Sequence, residues 1–505
     1  MKMKKIVYIM ILFAGVVITS SCSKDFLETK PTDAYPDYNI LADEVGLTGA
    51  INGMHKNMYR QYDSQGQSGV GSINILNEAL GEDVVWPNRG NGWFEGSYRW
   101  NDHRNKTADM ANYPYRFFYQ LISNANMILA NLDDASGDPA ALEKIKGQAL
   151  IYRAYCYFNL VQLYGKRYSS TSATDLGVPL LLEPTYEPQP RVTVAEVYAQ
   201  VEKDLNAAIT LLTGWTRPNK SHLDVSVAEG IYAQVALTKG EWASAKSHAI
   251  AARTASAAKG GVLAGAEELA SGYKDYTAKE WMWGSHVIDD QTLYFYAFSA
   301  YMSMNFNSTN IRQAPKLINS ALFDMIPATD LRKNFWEPNP TKANFPLPGD
   351  TAEANTAFAR FPYMNRKFKV DDPGSSVADV IIMRLAEMYL IQAEAEARLG
   401  ETANAQNTLF DLVKTRDAGY TKSTNTGQAL IDEILIQRRI ELWGEGRRFL
   451  DLKRLNLPLD RTIVPNISAS VYVVMSVPAG DDKWQYLFSK TEEDTNPFIK
   501  DNPNP

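Results

Sequence analysis

The stretch LAEMYLIQAEAEARLG, Leu385 to Gly400, sets Leu385, Tyr389, Ala393 and Ala397 at four-residue intervals. That spacing places an apolar stripe on one face of a helix, and Gly400 supplies the residue type that commonly ends one. An earlier stretch, VAEGIYAQVALTKG from Val227 to Gly240, follows the same grammar, with Val227, Ile231 and Val235 running beside Ala228, Tyr232 and Ala236. In both copies an alanine lies seven residues before the glycine (Ala233, Ala393), and others lie three and five after it (Ala243 and Ala245, Ala403 and Ala405). Small residues at fixed offsets let antiparallel helices approach closely, so the unit reads as a helix-turn-helix repeat of tetratricopeptide type. A looser pair is predicted from Ile145–Tyr164, stopped by Gly165, and Val194–Leu212 across a long proline-rich connection. The fold class that follows is mainly α.

Between the matched copies the periodicity fails, and over residues 261–378 Gly, Pro, Asn and aromatic residues accumulate. So long a stretch without regular pattern is usually functional. Its aromatic centre is Trp281, Met282 and Trp283 followed by Tyr294, Phe295, Tyr296 and Phe298. An earlier loop interleaves Trp86, Trp93, Phe94, Tyr98 and Trp100 with Asn88, Gly90, Asn91 and Gly92. Flat rings beside amides suit a sugar, whose C–H face stacks on the ring while its hydroxyls find directional partners. Trp86, Asn88, Trp93, Trp100, Trp283 and Tyr296 are the candidate ligand residues. The competing reading for each tryptophan is that its ring pins a loop to the core.

At the other end of the chain, Lys2, Lys4 and Lys5 precede an apolar run from Ile6 to Thr19, and Ser20, Ser21 and Cys22 follow. A basic start, a short greasy core and small residues at the exit make residues 1–21 a secretory signal. Cys22 resembles the acylated cysteine of a bacterial lipobox and becomes the first mature residue. Residues 22–38 carry Pro31 and Pro36 and read as an extended spacer. Cys156 is left without a partner and is expected to be a small buried hydrophobe. Loss of three lysines takes the formal charge from −7 to −10. That balance argues against nucleic acid and against adhesion to anionic headgroups by charge alone. No later apolar run reaches the roughly 20 residues of a membrane span, so membrane attachment is assigned to the lipid.

Catalytic signatures are scarce. His55, His103, His222, His248 and His286 show neither paired helical spacing nor a cysteine cluster, so no metal site and no cofactor is predicted. Gly90 and Gly92 are followed by Glu95 where a dinucleotide loop needs its third glycine. Glu78, Glu82 and Asp83 cluster before Trp86 and offer carboxylates for a glycosidase pair, although such clusters are more often structural. Near the C-terminus, a helix predicted over Ile431–Leu442 carries Asp432 and Glu433 in its first turn, favourable for the helix dipole. It leads into Glu445, Arg447, Arg448, Asp451, Lys453 and Arg454, where alternating charges at helical spacing predict an ion-pair network fastening this hairpin to the repeats rather than an anion site.

Several of these motifs, taken in order, resemble the SusD/RagB outer-membrane lipoproteins of the Bacteroidetes. They include Cys22 with Lys24–Glu28 and Pro31, Asn77–Glu78 and Asp83, and Tyr119 to Leu129. Gly147, Arg153–Ala154, Tyr157–Phe158 and Tyr164–Gly165 form the most recognisable internal motif. Later come Arg384, Glu387, Ala393–Ala395 and Gly400, then Arg439, Glu441–Leu442, Glu445–Gly446, Arg448 and Asp451–Leu452. Gln437 departs from the pattern, standing where an acidic residue is common, and is read as altering one helix-surface contact. The resemblance implies four tetratricopeptide-like pairs, a loop-rich ligand face, and a SusC-like TonB-dependent barrel as partner. It implies a surface-exposed outer-membrane lipoprotein that captures oligosaccharide or peptide without chemistry of its own. By family position, the loop from Trp86 to Trp100 and the segment near Trp283 face the ligand. The organisation expected is an N-terminal helical region over 39–260, the loop-rich insert over 261–378 and a C-terminal region over 379–505 with the last repeat. An exported glycoside hydrolase working through Glu82 or Asp83, and a peptide-binding or protein-interaction scaffold, are the alternatives.

Overall fold

In the computed structural model, residues 40–348, 350, 358–468, 471, 474–501 and 504 are described. The signal segment, Cys22 and the spacer to residue 38 lie outside them. The longer helices are α1 (Glu44–Asn57), α2 (Gly69–Ala79), α3 (Asp109–Asn131), α4 (Pro139–Tyr164), α5 (Val194–Leu212) and α6 (Val225–Lys239). They continue with α7 (Trp242–Ala257), α8 (Leu385–Arg398), α9 (Thr402–Val413), α10 (Gly427–Glu441) and α11 (Arg448–Arg454). Consecutive hairpins α4–α5, α6–α7 and α8–α9 stack side by side, with α3 packed on α4 at one end and α10 on α8 at the other.

The matched copies fold alike down to their turns. Gly240 and Gly400 take φ of +76° and +77°, a left-handed conformation that costs glycine nothing. Glu241 N–H then reaches back to Ala236 O and Glu401 N–H to Glu396 O, both at 2.9 Å, so each helix ends in the same left-handed cap and the next begins at once. Ala233, Ala245, Ala393 and Ala405 are fully buried between helices, whereas Ala243 and Ala403 face solvent and play no part in the approach. Neighbouring repeats are joined by Lys246 Nζ to Glu401 Oε1 at 2.7 Å and by the Arg398 guanidinium, 4.7 Å over the Trp242 ring.

Two boundaries differ from the sequence reading. Helix α4 starts at Pro139 rather than Ile145, because Asp138 caps it by accepting from Ala140 N–H and proline is well placed in a first turn. Helix α10 starts at Gly427, which puts Asp432 and Glu433 in its second turn. Glu433 there orders the preceding loop, accepting from Tyr420 Oη at 2.7 Å and Asn425 Nδ2 at 2.9 Å.

The loop-rich segment is sewn together by short strands. Strand β1 (Val84–Val85) begins an antiparallel sheet of order β1-β5-β7-β6, completed by Leu317–Ile318 (β5), Trp336–Glu337 (β6) and Met364–Asn365 (β7). Strand β4 (Trp281–Ser285) pairs with β8 (Val380–Arg384), which runs directly into α8. Short strands β2 (Leu176–Pro179) and β3 (Arg191–Thr193) form a hairpin before α5. One buried apolar cluster draws on residues from Leu41 to Ile499, Cys156 among them.

Where insert and repeats meet, the core is ionic. Arg384 binds Glu280 at 2.6 Å, Glu441 at 2.8 Å and Glu445 at 2.7 Å. Arg416 binds Glu280 at 2.8 Å and Glu441 at 3.0 Å, while Arg332 binds Glu441 at 3.1 Å and Asp330 at 2.7 Å. Lys367 completes the set on Glu445 at 2.6 Å. Four cations face four carboxylates, and all of them are buried. Burial alone would raise the Glu441 carboxyl, but Arg416, Arg384 and Arg332 hold it well below the usual range. Gln437 belongs to this lattice and not to the helix surface: it is buried and its Oε1 accepts from Arg332 Nη2 at 2.6 Å. A second set fastens α10 and α11 to the repeats, as the alternating charges predict: Arg438 to Glu387 at 3.1 Å, Arg447 to Glu387 at 2.9 Å and Arg454 to Glu394 at 2.8 Å, with Arg438 to Asp451 at 2.8 Å joining the two helices.

Glu441→Ala is expected to cost about 3–5 kcal/mol in urea denaturation, because three buried guanidinium groups lose their shared acceptor. Glu78, on α2, gives a pH signature of opposite sign. Burial, reinforced by Asp83, pushes its carboxyl up to about 8, although Gly446 N–H and Arg447 N–H donate to it. Below its ordinary value of 4.5 the group is protonated in both folded and unfolded chains. Between 4.5 and about 8 only the unfolded chain ionises, so stability drains away as pH rises through that window and levels off above it. Glu78→Gln keeps the acceptor and removes the titration; its urea midpoint should fall less between pH 5 and pH 8 than that of the natural chain.

Candidate ligand-binding site

Strand β1 delivers the chain into the first aromatic loop. Just beyond it, Asn88 Oδ1 accepts from Gly90 N–H at 2.7 Å, closing a local turn, and Asn88 Nδ2 donates to Gln313 O at 2.7 Å. Gly90 sits at φ +51°, and a Cβ there would come within 2.8 Å of Ala314 Cβ, so the loop closes on the insert only with glycine at this point. Arg89, between them, projects outward with its side chain 63% exposed and is steadied by Glu95 at 2.8 Å, which also binds Arg99 at 2.6 Å. Across from it lie Arg312, Gln313, Phe358 and Ala359, with Ala359 N–H bonded to Arg312 O at 2.7 Å. The walls enclose an open groove of about 650 Å³. Guanidinium groups, amides and an aromatic edge converge on it, a mixture that can bind hydroxyl or carbonyl oxygens.

The second aromatic segment packs on Phe306, whose ring meets Tyr294 at 5.6 Å and Phe295 at 6.0 Å just before the short helix Thr309–Gln313. Tyr294 and Phe295 are the exposed rings there, at 47% and 40%. Gln65 Nε2 donates to Phe295 O, and Tyr301 Oη to Gln65 O, linking this segment to the loop of Phe94, whose ring stands edge-on to Tyr301 at 5.0 Å. Phe94, Trp100 and Tyr294 all take positive φ, an uncommon conformation for an aromatic residue that the surrounding packing must impose.

The six candidate residues separate by burial. Asn88 lines the groove, whereas Trp93 and Tyr296 are half-buried and are not among its lining residues. Trp86, Trp100 and Trp283 are enclosed. Trp86 stacks on Tyr98 at 4.7 Å with the Lys316 ammonium 4.9 Å over its ring, and Trp283 is wedged edge-on between Tyr155 at 4.9 Å and Tyr152 at 6.0 Å. Trp100 donates to Leu80 O at 3.1 Å and packs on Trp484 at 4.9 Å. These three rings offer no free face to a ligand and hold their loops to the core. Arg89, Arg312, Gln313 and Phe358 complete the groove without having been singled out from the sequence. Arg89 adjoins Asn88 and was within reach of that reading, whereas the other three lie in the insert, where no periodic pattern marks them.

The acidic cluster is committed elsewhere. Glu82 accepts from Arg448 Nε at 2.9 Å and Asp83 from Arg439 Nη2 at 2.5 Å, and both are buried. As they stand they clamp α11 and α10 to the first loop.

Residues 25–237 match the family model described as starch-binding associating with outer membrane, and residues 242–500 match the SusD family model. The division falls at the turn between α6 and α7. SusD-like protein P25 of Formosa agariphila is 24% identical over 508 aligned residues, covering 90% of each chain. A SusD-like carbohydrate binding protein from Bacteroides vulgatus superposes with a TM-score of 0.77 at 25% identity, over 92% of this chain and 98% of that one. Surface glycan-binding protein A from Bacteroides uniformis has the same fold, with a TM-score of 0.70 at 17% identity over 91% of this chain and 98% of its own. With the second model alone spanning more than half of its residues, the chain belongs to the SusD family.

Proposed function

We propose that this chain captures oligosaccharide on its loop face and passes it, unaltered, to a SusC-like TonB-dependent transporter. The observation that carries the reading is the open groove between Asn88, Arg89 and Gly90 on one side and Arg312, Gln313 and Phe358 on the other. Its polar groups are few and convergent, and the two aromatic loops keep ring surface exposed for stacking at Trp93, Tyr294 and Phe295. A carbohydrate-binding neighbour of the same fold supports the ligand class. The non-catalytic role is supported by the engagement of Glu82 and Asp83 with Arg448 and Arg439. Acylation at Cys22 tethers the protein to the outer membrane; no helix among the described residues is long and apolar enough to cross one. The helical stack, rigid and distant in sequence from the groove, is the surface assigned to the transporter.

The full chain in mild detergent should be retarded in native gels containing soluble starch or another soluble polysaccharide. Arg89→Ala and Arg312→Ala should each weaken that retention by about tenfold, the worth of one or two charged hydrogen bonds. Release of reducing ends by the purified protein overturns the non-catalytic reading. Extraction of the native protein should bring a large barrel transporter with it, and recovery alone would count against the delivery step.

A further inference from the structure

A second, more enclosed space of about 340 Å³ lies where the loop after α4, the end of α11 and residues 479–485 converge. The C-terminal segment is held there by several ties: Tyr486 N–H to Leu163 O at 2.9 Å, Arg104 Nη1 to Gln485 O at 2.7 Å and His103 Nε2 to Lys483 O at 2.9 Å. Its wall is therefore built from parts far apart in sequence and none of them belongs to the loop groove.

Lys453 is the buried cation in this wall, 6% exposed. Its Nζ donates to Gln162 O at 2.5 Å and Gly165 O at 2.8 Å, satisfying carbonyls at the C-terminal end of α4. Those bonds use two of the three N–H groups of an ammonium, and the third meets no partner among the described residues. Burial pushes the ammonium down to about 7. Lys453 also lines the cavity, where a ligand oxygen can accept its remaining N–H.

The rest of the wall says what kind of oxygen. Lys166 is paired with Asp175 at 3.0 Å and Asp481 accepts from Lys483 N–H at 2.8 Å; with Arg167 and Asp482 they line the cavity with both donors and acceptors. An anion would meet the carboxylates and a cation the basic groups; a neutral molecule bearing many hydroxyls can use both. Asn456 presents an amide from a left-handed backbone at φ +54°, a conformation asparagine tolerates; buried Leu452 gives an apolar floor, and exposed Leu457 and Ala479 an apolar rim. The volume lies at the small end of the roughly 300–1,000 Å³ typical of small-molecule sites. We infer that this cavity is a second carbohydrate site, taking a terminal residue or disaccharide end of a neutral glycan, apart from the loop groove. The inference stands on the cavity's own chemistry and goes beyond the loop-face reading.

The test uses ligand-observed saturation-transfer NMR on the full chain in mild detergent, with glucose, galactose, mannose and xylose as probes. Ala479→Phe fills the mouth from an exposed position and leaves the Lys453 ties intact, while Asn456→Gly keeps the backbone and removes the amide. In an Arg89→Ala/Arg312→Ala background, which disables the loop groove, at least one sugar should give saturable transfer that Ala479→Phe abolishes and Asn456→Gly weakens by about tenfold. Absence of binding by all four sugars in that background, or binding there that survives both cavity variants, overturns the inference. Retention on polysaccharide gels by the Ala479→Phe variant keeps the loop-face reading standing even where the cavity fails.

Discussion

The buried charge lattice around Glu441 is the constraint on which the rest of the structure depends. Glu280 stands at the entry to β4, Arg384 at the junction of β8 and α8, Arg332 in the insert, Arg416 after α9 and Glu441 at the end of α10. Their mutual ion pairs therefore fix the insert against the repeats at the places where each element begins or ends. A hydrophobic seam would hold the same surfaces together without dictating a register, whereas each guanidinium here accepts one arrangement of carboxylates. The cost of desolvating so many charges is large, and it is offset only because every charge is matched and several backbone carbonyls take the remaining donors.

From that fixed frame the binding face follows. The sheet that begins with Val84–Val85 draws two distant loops to one side, and enclosed tryptophans nail them down from beneath. What is left outward is short and polar: Asn88, Arg89 and Arg312, with half-buried or exposed rings at Trp93, Tyr294 and Phe295. The large aromatic content of the loops is thus divided between anchoring and display. Trp86, Trp100 and Trp283 anchor, while Trp93, Tyr294 and Phe295 keep surface exposed.

The helical architecture was legible in the sequence because its signals are local. The stripe from Leu385 to Ala397 and the glycines at 240 and 400 depend on neighbours three to five residues away, and the structure repeats them almost residue for residue. The boundary at α10 was misplaced because Glu433 bonds to a loop rather than to its own helix end, a choice that propensity does not encode. The ion pairs of α11 were foreseen as a class, but Gln437 was not recognised as buried, since its partner Arg332 comes from the insert. The groove was only half legible for the same reason. Asn88 carries a loop signature of its own, while Arg312 and Phe358 acquire meaning only when the sheet brings their segment opposite it.

The order of charges along the chain sets an order of assembly. Arg332, Lys367, Arg384 and Arg416 all emerge before Glu441 and Glu445, with only Glu280 and Asp330 available to balance them. The lattice can therefore close only once the last hairpin brings Glu441 and Glu445, and until then the four cations keep their water.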